Sequence, residues 1–175
     1  MSNPRPLISR ARILARVRAL GRRITADYRD RDLHLIGVLH CAFVFMADLV
    51  REIGLPMTCD FLRVSSYGSG TVSRGRAKVT PDFDRPIRGR DVLLVEDIVD
   101  TGITAAAVLK ELRKRRPASL RLCSLLHKPS RSRVPVTIDY VGFTVPDRFV
   151  VGYGLDYDAQ YRNLPYIGAL DAGKD

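Results

Sequence analysis

The 175-residue sequence is short of the features that anchor, crosslink or repeat a chain. Its longest stretch without a formal charge covers residues 33–47, fifteen positions, below the ~18–20 that a bilayer-spanning helix needs. No membrane partner is expected. Cysteines number three, Cys41, Cys59 and Cys123, an odd count with no CxxC spacing. That argues against a disulfide framework and a cysteine zinc site, and for reduced thiols in a cytoplasmic protein. There is no internal repeat, no low-complexity tract, and no Gly-Lys-Ser/Thr of a P-loop. With 46% apolar and 27% charged residues, the composition is that of an ordinary globular chain. Its length suits a single domain, 1–175, burying roughly two-thirds of its unfolded surface.

Negative charge is scarce as well. Nineteen acids against 29 Lys and Arg leave a net charge of +10, which invites a nucleic-acid hypothesis until the charge is located. Residues 1–31 carry nine arginines and two acids, and residues 110–121 six basic groups and one acid. The remaining 132 residues sit near −2. The first segment predicts a basic amphipathic N-terminal helix: Ser9 as N-cap, then Ile13, Leu14, Val17, Leu20, Ile24 and Tyr28 at three- and four-residue spacing. Such composition is shared with transit peptides, but the pattern runs unbroken into the domain, so a packed helix is expected. The second segment predicts a helix C-terminus, where cations complement the dipole, ended by Pro117.

Along the chain, residues 33–39, 59–65, 91–96, 120–126, 136–143 and 150–153 read as strands. Residues 43–53 read as a helix with Phe43, Met46, Ala47, Val50 and Ile53 on one face, and 103–115 as another helix. Strands alternating with helices predict an α/β fold with a mainly parallel sheet. In such sheets ligands bind beyond the carboxyl ends of the strands. Residues 66–75 hold three glycines and four serine or threonine hydroxyls with almost nothing to bury, which predicts a mobile surface loop.

The turn after the 91–96 strand reads Glu96-Asp97-Ile98-Val99-Asp100-Thr101-Gly102-Ile103-Thr104. A glycine-containing turn entering a helix, with two threonine hydroxyls, suits a phosphate. Three carboxylates at the same place would repel one. Both features fit a ribose 5-phosphate, with the phosphate in the 101–104 cradle and the diol donating hydrogen bonds to Glu96 and Asp97.

The run VLLVEDIVDTGIT at 92–104 resembles the phosphoribosyl-pyrophosphate (PRPP) motif of the type I phosphoribosyltransferases. More narrowly, the chain is similar to the hypoxanthine–guanine phosphoribosyltransferase family from about Leu7 to Gly168. FMADLV, SSYGSG, LLHKPSR, PDRFVVGYGLDY and YRNLPYIG occur in the family's order. The resemblance implies the type I fold, a mainly parallel sheet flanked by helices with a small hood formed by terminal segments. It implies purine salvage: transfer of the phosphoribosyl group from PRPP to hypoxanthine or guanine, releasing pyrophosphate, with Mg²⁺. It places Glu96 and Asp97 on the ribose hydroxyls, Asp100 near purine N7 as acid/base residue, and Asp100, Thr101, Gly102, Ile103 and Thr104 on the 5-phosphate. Lys128 would meet O6 of a 6-oxopurine, Phe149 would stack on the base, and Val150 would offer backbone groups. Asp156 would approach the base and, with Glu96 and Asp97, the metal. His40, Cys41 and Arg162 would face pyrophosphate. Residues 66–77, with Ser66 and Tyr67 at the moving end, would form a catalytic lid that excludes water. The family also implies a homodimer or homotetramer.

Taken without that context, Lys128 and Arg162 read as surface charges and Phe149 as core. One motif departs from the family. Leu39-His40-Cys41-Ala42 stands where the pattern has Leu, a basic residue and Gly, at a loop that often holds a non-proline cis peptide. A neutral histidine and a thiol there imply altered pyrophosphate binding. The alternative reading is a nucleotide-sensing or RNA-binding regulator on the same fold, drawn from the basic segments; a nucleic-acid partner is not expected.

Overall fold

The computed structural model describes residues 4–66, 77–81 and 85–170. Strand β1 (Arg5–Ile8) precedes helix α1 (Arg10–Asp27), which feeds β2 (Leu33–Leu39), α2 (Phe43–Glu52) and β3 (Thr58–Ser66). Then come β4 (Ala77–Pro81), β5 (Asp91–Val99), α3 (Ile103–Arg113) and β6 (Ser119–His127). A 3₁₀ turn (Pro129–Arg131), β7 (Tyr140–Thr144), β8 (Phe149–Val151) and β9 (Ile167–Leu170) complete the described chain.

Six strands form one sheet in the order β4-β3-β2-β5-β6-β7. Five are parallel, and β4 joins the edge antiparallel to β3. β2 pairs with β3 on one side and β5 on the other, so the strand order reverses between β2 and β5. At such a switch point the loops leaving the two strands diverge and open a crevice. Both faces of the sheet are apolar, as buried parallel strands require. Leu33, Leu35, Leu93 and Val95 pack with α1 and α2, while Ile36, Val38, Val92 and Leu94 pack with α3.

The basic first segment is helical from Arg10, not throughout. Ser9 caps it, accepting a hydrogen bond from the Arg12 N–H at 3.4 Å, and Ile13, Val17, Leu20, Ile24 and Tyr28 are buried as the spacing predicts. Its arginines are not merely solvated. The guanidinium groups of Arg12 and Arg16 lie 5.8 and 5.5 Å from the Phe143 ring, and Arg23 lies 4.8 Å from Tyr140.

β1 pairs with β9, and β9 with β8, giving a three-stranded antiparallel hood built from both ends of the chain.

Several expected boundaries move. α2 is rotated: Ala42, Phe45, Met46, Leu49 and Ile53 are buried, also a helical stripe. Phe43 is exposed and lines a groove with Val44, Tyr153 and Arg162. α2 is apolar on two faces, and the one toward α1 and the sheet wins. The expected strand at 136–143 forms only over Tyr140–Thr144. Before it, Pro135 has no N–H to give, and Asp139 is tied to Leu122 through both its carboxylate and its N–H. Val136 and Ile138 turn onto the α3 cluster instead. The strand expected at 150–153 stops at Val151, because Gly152 and Tyr153 take φ of +95° and +53°. Of the expected lid, Ser66 ends β3 and Ala77 begins β4; Tyr67 and the rest of 67–76 lie outside the described residues.

Candidate active site

β5 continues past the expected end through the acidic residues to Val99. Leu93 and Val95 share the first core cluster, and strict alternation would put Ile98 on the opposite one. Instead Ile98 packs on the first and Val99 on the second, so the pleat changes phase at Asp97. Both carboxylates at this point are buried. Glu96 is pushed well up by burial and by the neighbouring Asp97 charge. Asp97 is raised to about 6 by burial, partly offset by the N–H groups of Asp97 and Ile98 and by Arg162. Glu96 Oε1 has no hydrogen-bond partner among the described residues. Two adjoining acids, one with an idle oxygen, are arranged for a ligand that brings hydroxyls or a cation.

The turn beyond them is shaped by Gly102. Its φ is +79°, and a Cβ there would lie 2.2 Å from the Val134 carbonyl oxygen. Only glycine fits, and α3 starts at the next residue, with the Gly102 carbonyl accepting from Ala106 at 2.9 Å. Thr101 Oγ1 accepts from the Ile103 N–H at 3.5 Å. Asp100, Thr101, Gly102, Ile103 and Thr104 therefore form one compact turn at a helix N-terminus, where anions are favoured.

β6 delivers Lys128 beside this turn, the Lys128 N–H donating to the Val99 carbonyl at 3.0 Å. The residue is only 5% exposed, against the usual surface lysine. Phe149, at the start of β8, is 48% exposed and meets Tyr157 edge-to-face at 5.4 Å. Val150 is buried in β8, opposite Ala169.

On the other side of the crevice lies the loop leaving β2. The Leu39–His40 peptide is cis, and His40 is exposed. The hood segment docks here: a Cβ on Gly154 would lie 2.3 Å from the Cys41 carbonyl oxygen. Arg162 reaches back, its Nη1 2.8 Å from the Gly154 carbonyl and 3.0 Å from Cys41 Sγ, its Nη2 2.8 Å from Asp156. The Cys41 thiol is pushed up to about 11, by burial first and then by the Asp97 charge. Asp97, Cys41, Asp156 and Arg162 thus share one electrostatic neighbourhood, though no three His, Cys or acidic side chains form a metal cage among the described residues.

A phosphoribosyl transferase domain model matches residues 9–158. Hypoxanthine phosphoribosyltransferase of Salmonella typhimurium is 50% identical over 166 residues, 94% of this chain and 93% of that protein. Hypoxanthine-guanine phosphoribosyltransferase of Mycobacterium avium is 52% identical over 171 residues, 94% and 84% of the two chains. The chain belongs to the hypoxanthine–guanine phosphoribosyltransferase family. Its fold agrees with a crystal structure of a hypoxanthine phosphoribosyltransferase from Staphylococcus aureus, with a TM-score of 0.90, 41% identity and coverage of 95% and 90%.

The candidate site residues of this hypoxanthine–guanine phosphoribosyltransferase family member fall into two groups. Cys41, Asp97, Asp156 and Arg162 lie in one, and Asp100, the 101–104 turn, Lys128 and Phe149 in the other. Sequence reasoning passed over Arg131, Asp147 and Tyr157. All three lie inside the quoted motifs, but no spacing rule pairs Arg131 with Asp100 or Asp147, or Phe149 with Tyr157, before the segments are packed.

Proposed function

We propose that this protein is a purine-salvage transferase. It moves the 5-phosphoribosyl group of PRPP to hypoxanthine or guanine, giving IMP or GMP and pyrophosphate. The observation that carries this reading is the strand–turn–helix from Glu96 to Thr104, which sets two buried carboxylates ahead of an acid and a glycine turn at a helix N-terminus, with the buried Lys128 beside it.

In the reaction the bond from ribose C1 to pyrophosphate breaks and one from C1 to purine N9 forms. Glu96 and Asp97 accept hydrogen bonds from the ribose diol, giving the idle Glu96 oxygen a partner. Residues 101–104 hold the 5-phosphate at the α3 N-terminus. Phe149 supplies a stacking face and Val150 backbone groups for the base edge. Lys128, with three donors and no acceptor, rewards O6 and rejects the amino group of adenine. Asp100 shares the proton that the base gives up, general acid–base work. Arg162, with His40 and the Cys41 loop, faces pyrophosphate, where a guanidinium fork suits phosphate oxygens. Residues 66–77, including Ser66 and Tyr67, act as the lid, and the whole chain works as one domain.

Mg²⁺ fits the donor set. One or two of Glu96, Asp97 and Asp156 would offer hard oxygen ligands, as Mg²⁺ is commonly held by one or two carboxylates together with substrate phosphates and water; the three do not form a cage among themselves. Bound there, it would supply charge neutralisation to the leaving pyrophosphate. The family supports a homodimer or homotetramer in the cytoplasm; no described helix is long and apolar enough to cross a membrane.

The decisive experiment incubates purified protein with Mg²⁺, PRPP and a panel of bases. IMP or GMP should form, with adenine left untouched; the absence of both products overturns the reading. Asp100→Ala should lower kcat by roughly 10²–10⁴-fold, with nucleotide affinity, measured by calorimetry, changed only a few-fold.

A further inference from the structure

Asp100 is not free at the tip of its turn. Arg131 Nε lies 3.0 Å from its Oδ1, and Nη1 of the same guanidinium lies 3.4 Å from Asp147 Oδ1. Asp100 Oδ1 is enclosed yet makes no aligned hydrogen bond among the described residues, so the guanidinium charge is what offsets its burial. Arg131 ends the 3₁₀ turn that follows Lys128, and its N–H donates to the Lys128 carbonyl at 3.1 Å. That stretch is stapled to the acidic turn. Lys128 N–H donates to Val99, and the Arg133 and Val134 N–H groups both donate to the Thr101 carbonyl, all at 3.0 Å. Asp147 stands two residues before Phe149. One guanidinium therefore joins the three segments that carry the acid/base carboxylate, the O6-selecting lysine and the stacking ring.

We propose that Arg131 is a positioning residue for the purine half-site. This rests on the transferase reading above. Its guanidinium pairs by charge with one oxygen of Asp100 through Nε and leaves the other for the base, while Nη1 donates to Asp147 and holds the segment leading to Phe149. A lysine, a single point charge on a flexible stem, cannot set the angle between two carboxylates in this way. The Arg131 and Asp100 side chains are 44% and 34% exposed, and exposed ion pairs add little to stability. The function of the contact is orientation, and its signature is kinetic.

Arg131→Met should reduce kcat on the order of tenfold to a hundredfold, with the melting temperature and the KM for PRPP nearly unchanged. Arg131→Lys should fall between it and the wild type, and serves as the test should the Met variant fail to fold. Millimolar guanidinium added to Arg131→Ala should restore part of kcat, while methylammonium should not. In the Asp100→Ala background, Arg131→Met should cost clearly less than in the wild type, because the part of its effect that runs through Asp100 is already lost and only the part that runs through Asp147 remains. Wild-type kcat in the Met or Lys variant, or the same loss with and without Asp100, would overturn the proposal. A wild-type enzyme that makes neither IMP nor GMP fails at the earlier reading instead.

Discussion

Cys41 shows how a residue's chemistry is set by neighbours far along the chain. Its thiol donates toward Asp156 Oδ1 at 3.4 Å and accepts from Arg162 Nη1 at 3.0 Å. Burial and the Asp97 charge both disfavour the thiolate, pushing the thiol up to about 11. At neutral pH it is a protonated bridge between hood and loop, and thiols react as thiolates. Iodoacetamide at pH 7.5 should therefore label exposed Cys59 well before Cys41, and Cys41 labelling should keep rising with pH toward 11. Peptide mass spectrometry reads the order; equal rates at pH 7.5 would show that the thiol is not held this way. The departure from the family at position 41 was legible in the sequence, but its partners, more than 100 residues downstream, were not. Lys128 and Phe149 make the same point. Residue type alone puts lysine outside and phenylalanine inside, and the crevice reverses both.

At the scale of elements, the strands with strong apolar runs were legible, and β2 matches its expected bounds. Strands β1, β4 and β9 were not, because four or five residues at an edge or in the hood carry too little periodicity to be seen. The phase change of β5 at Asp97 was equally hidden, since the alternation looks unbroken until the two cores are known. The junction of β5 and α3 offers the sharpest test. Gly102→Ala meets both a positive φ and the Val134 carbonyl. The left-handed conformation alone costs about 1–2 kcal/mol for a residue with a Cβ, so the loss should be at least that large. Urea unfolding should show a lowered midpoint, and ribose 5-phosphate affinity should fall with it, because the same turn forms the phosphate cradle. A variant as stable as the wild type would mean that the turn relaxes elsewhere.

At the scale of the whole molecule, the two ends of the chain meet in the hood, and Gly168 is its crossing point. It lies opposite Pro6 on one side and Val151 on the other, and a Cβ there would come within 2.7 Å of the Pro4 side chain. Gly168→Val should push β1 from β9, lower the melting temperature, and raise the KM for the base several-fold through the neighbouring β8. A steady KM for the base with a lowered melting temperature would show that β8 does not depend on β1. The +10 charge also changes meaning at this scale, since arginines of α1 lie over the aromatic rings of β7. By itself, the sequence determined the α/β class, the strand–turn–helix that carries Glu96 to Thr104, and the family, because these reside in contiguous residues whose spacing matches a local period. The tertiary structure alone decided the switch point between β2 and β5, the Cys41–Arg162–Asp156 bridge and the tie from Arg131 to Asp100. Those are contacts between segments that only sheet order brings together, and no local pattern encodes which strands become neighbours.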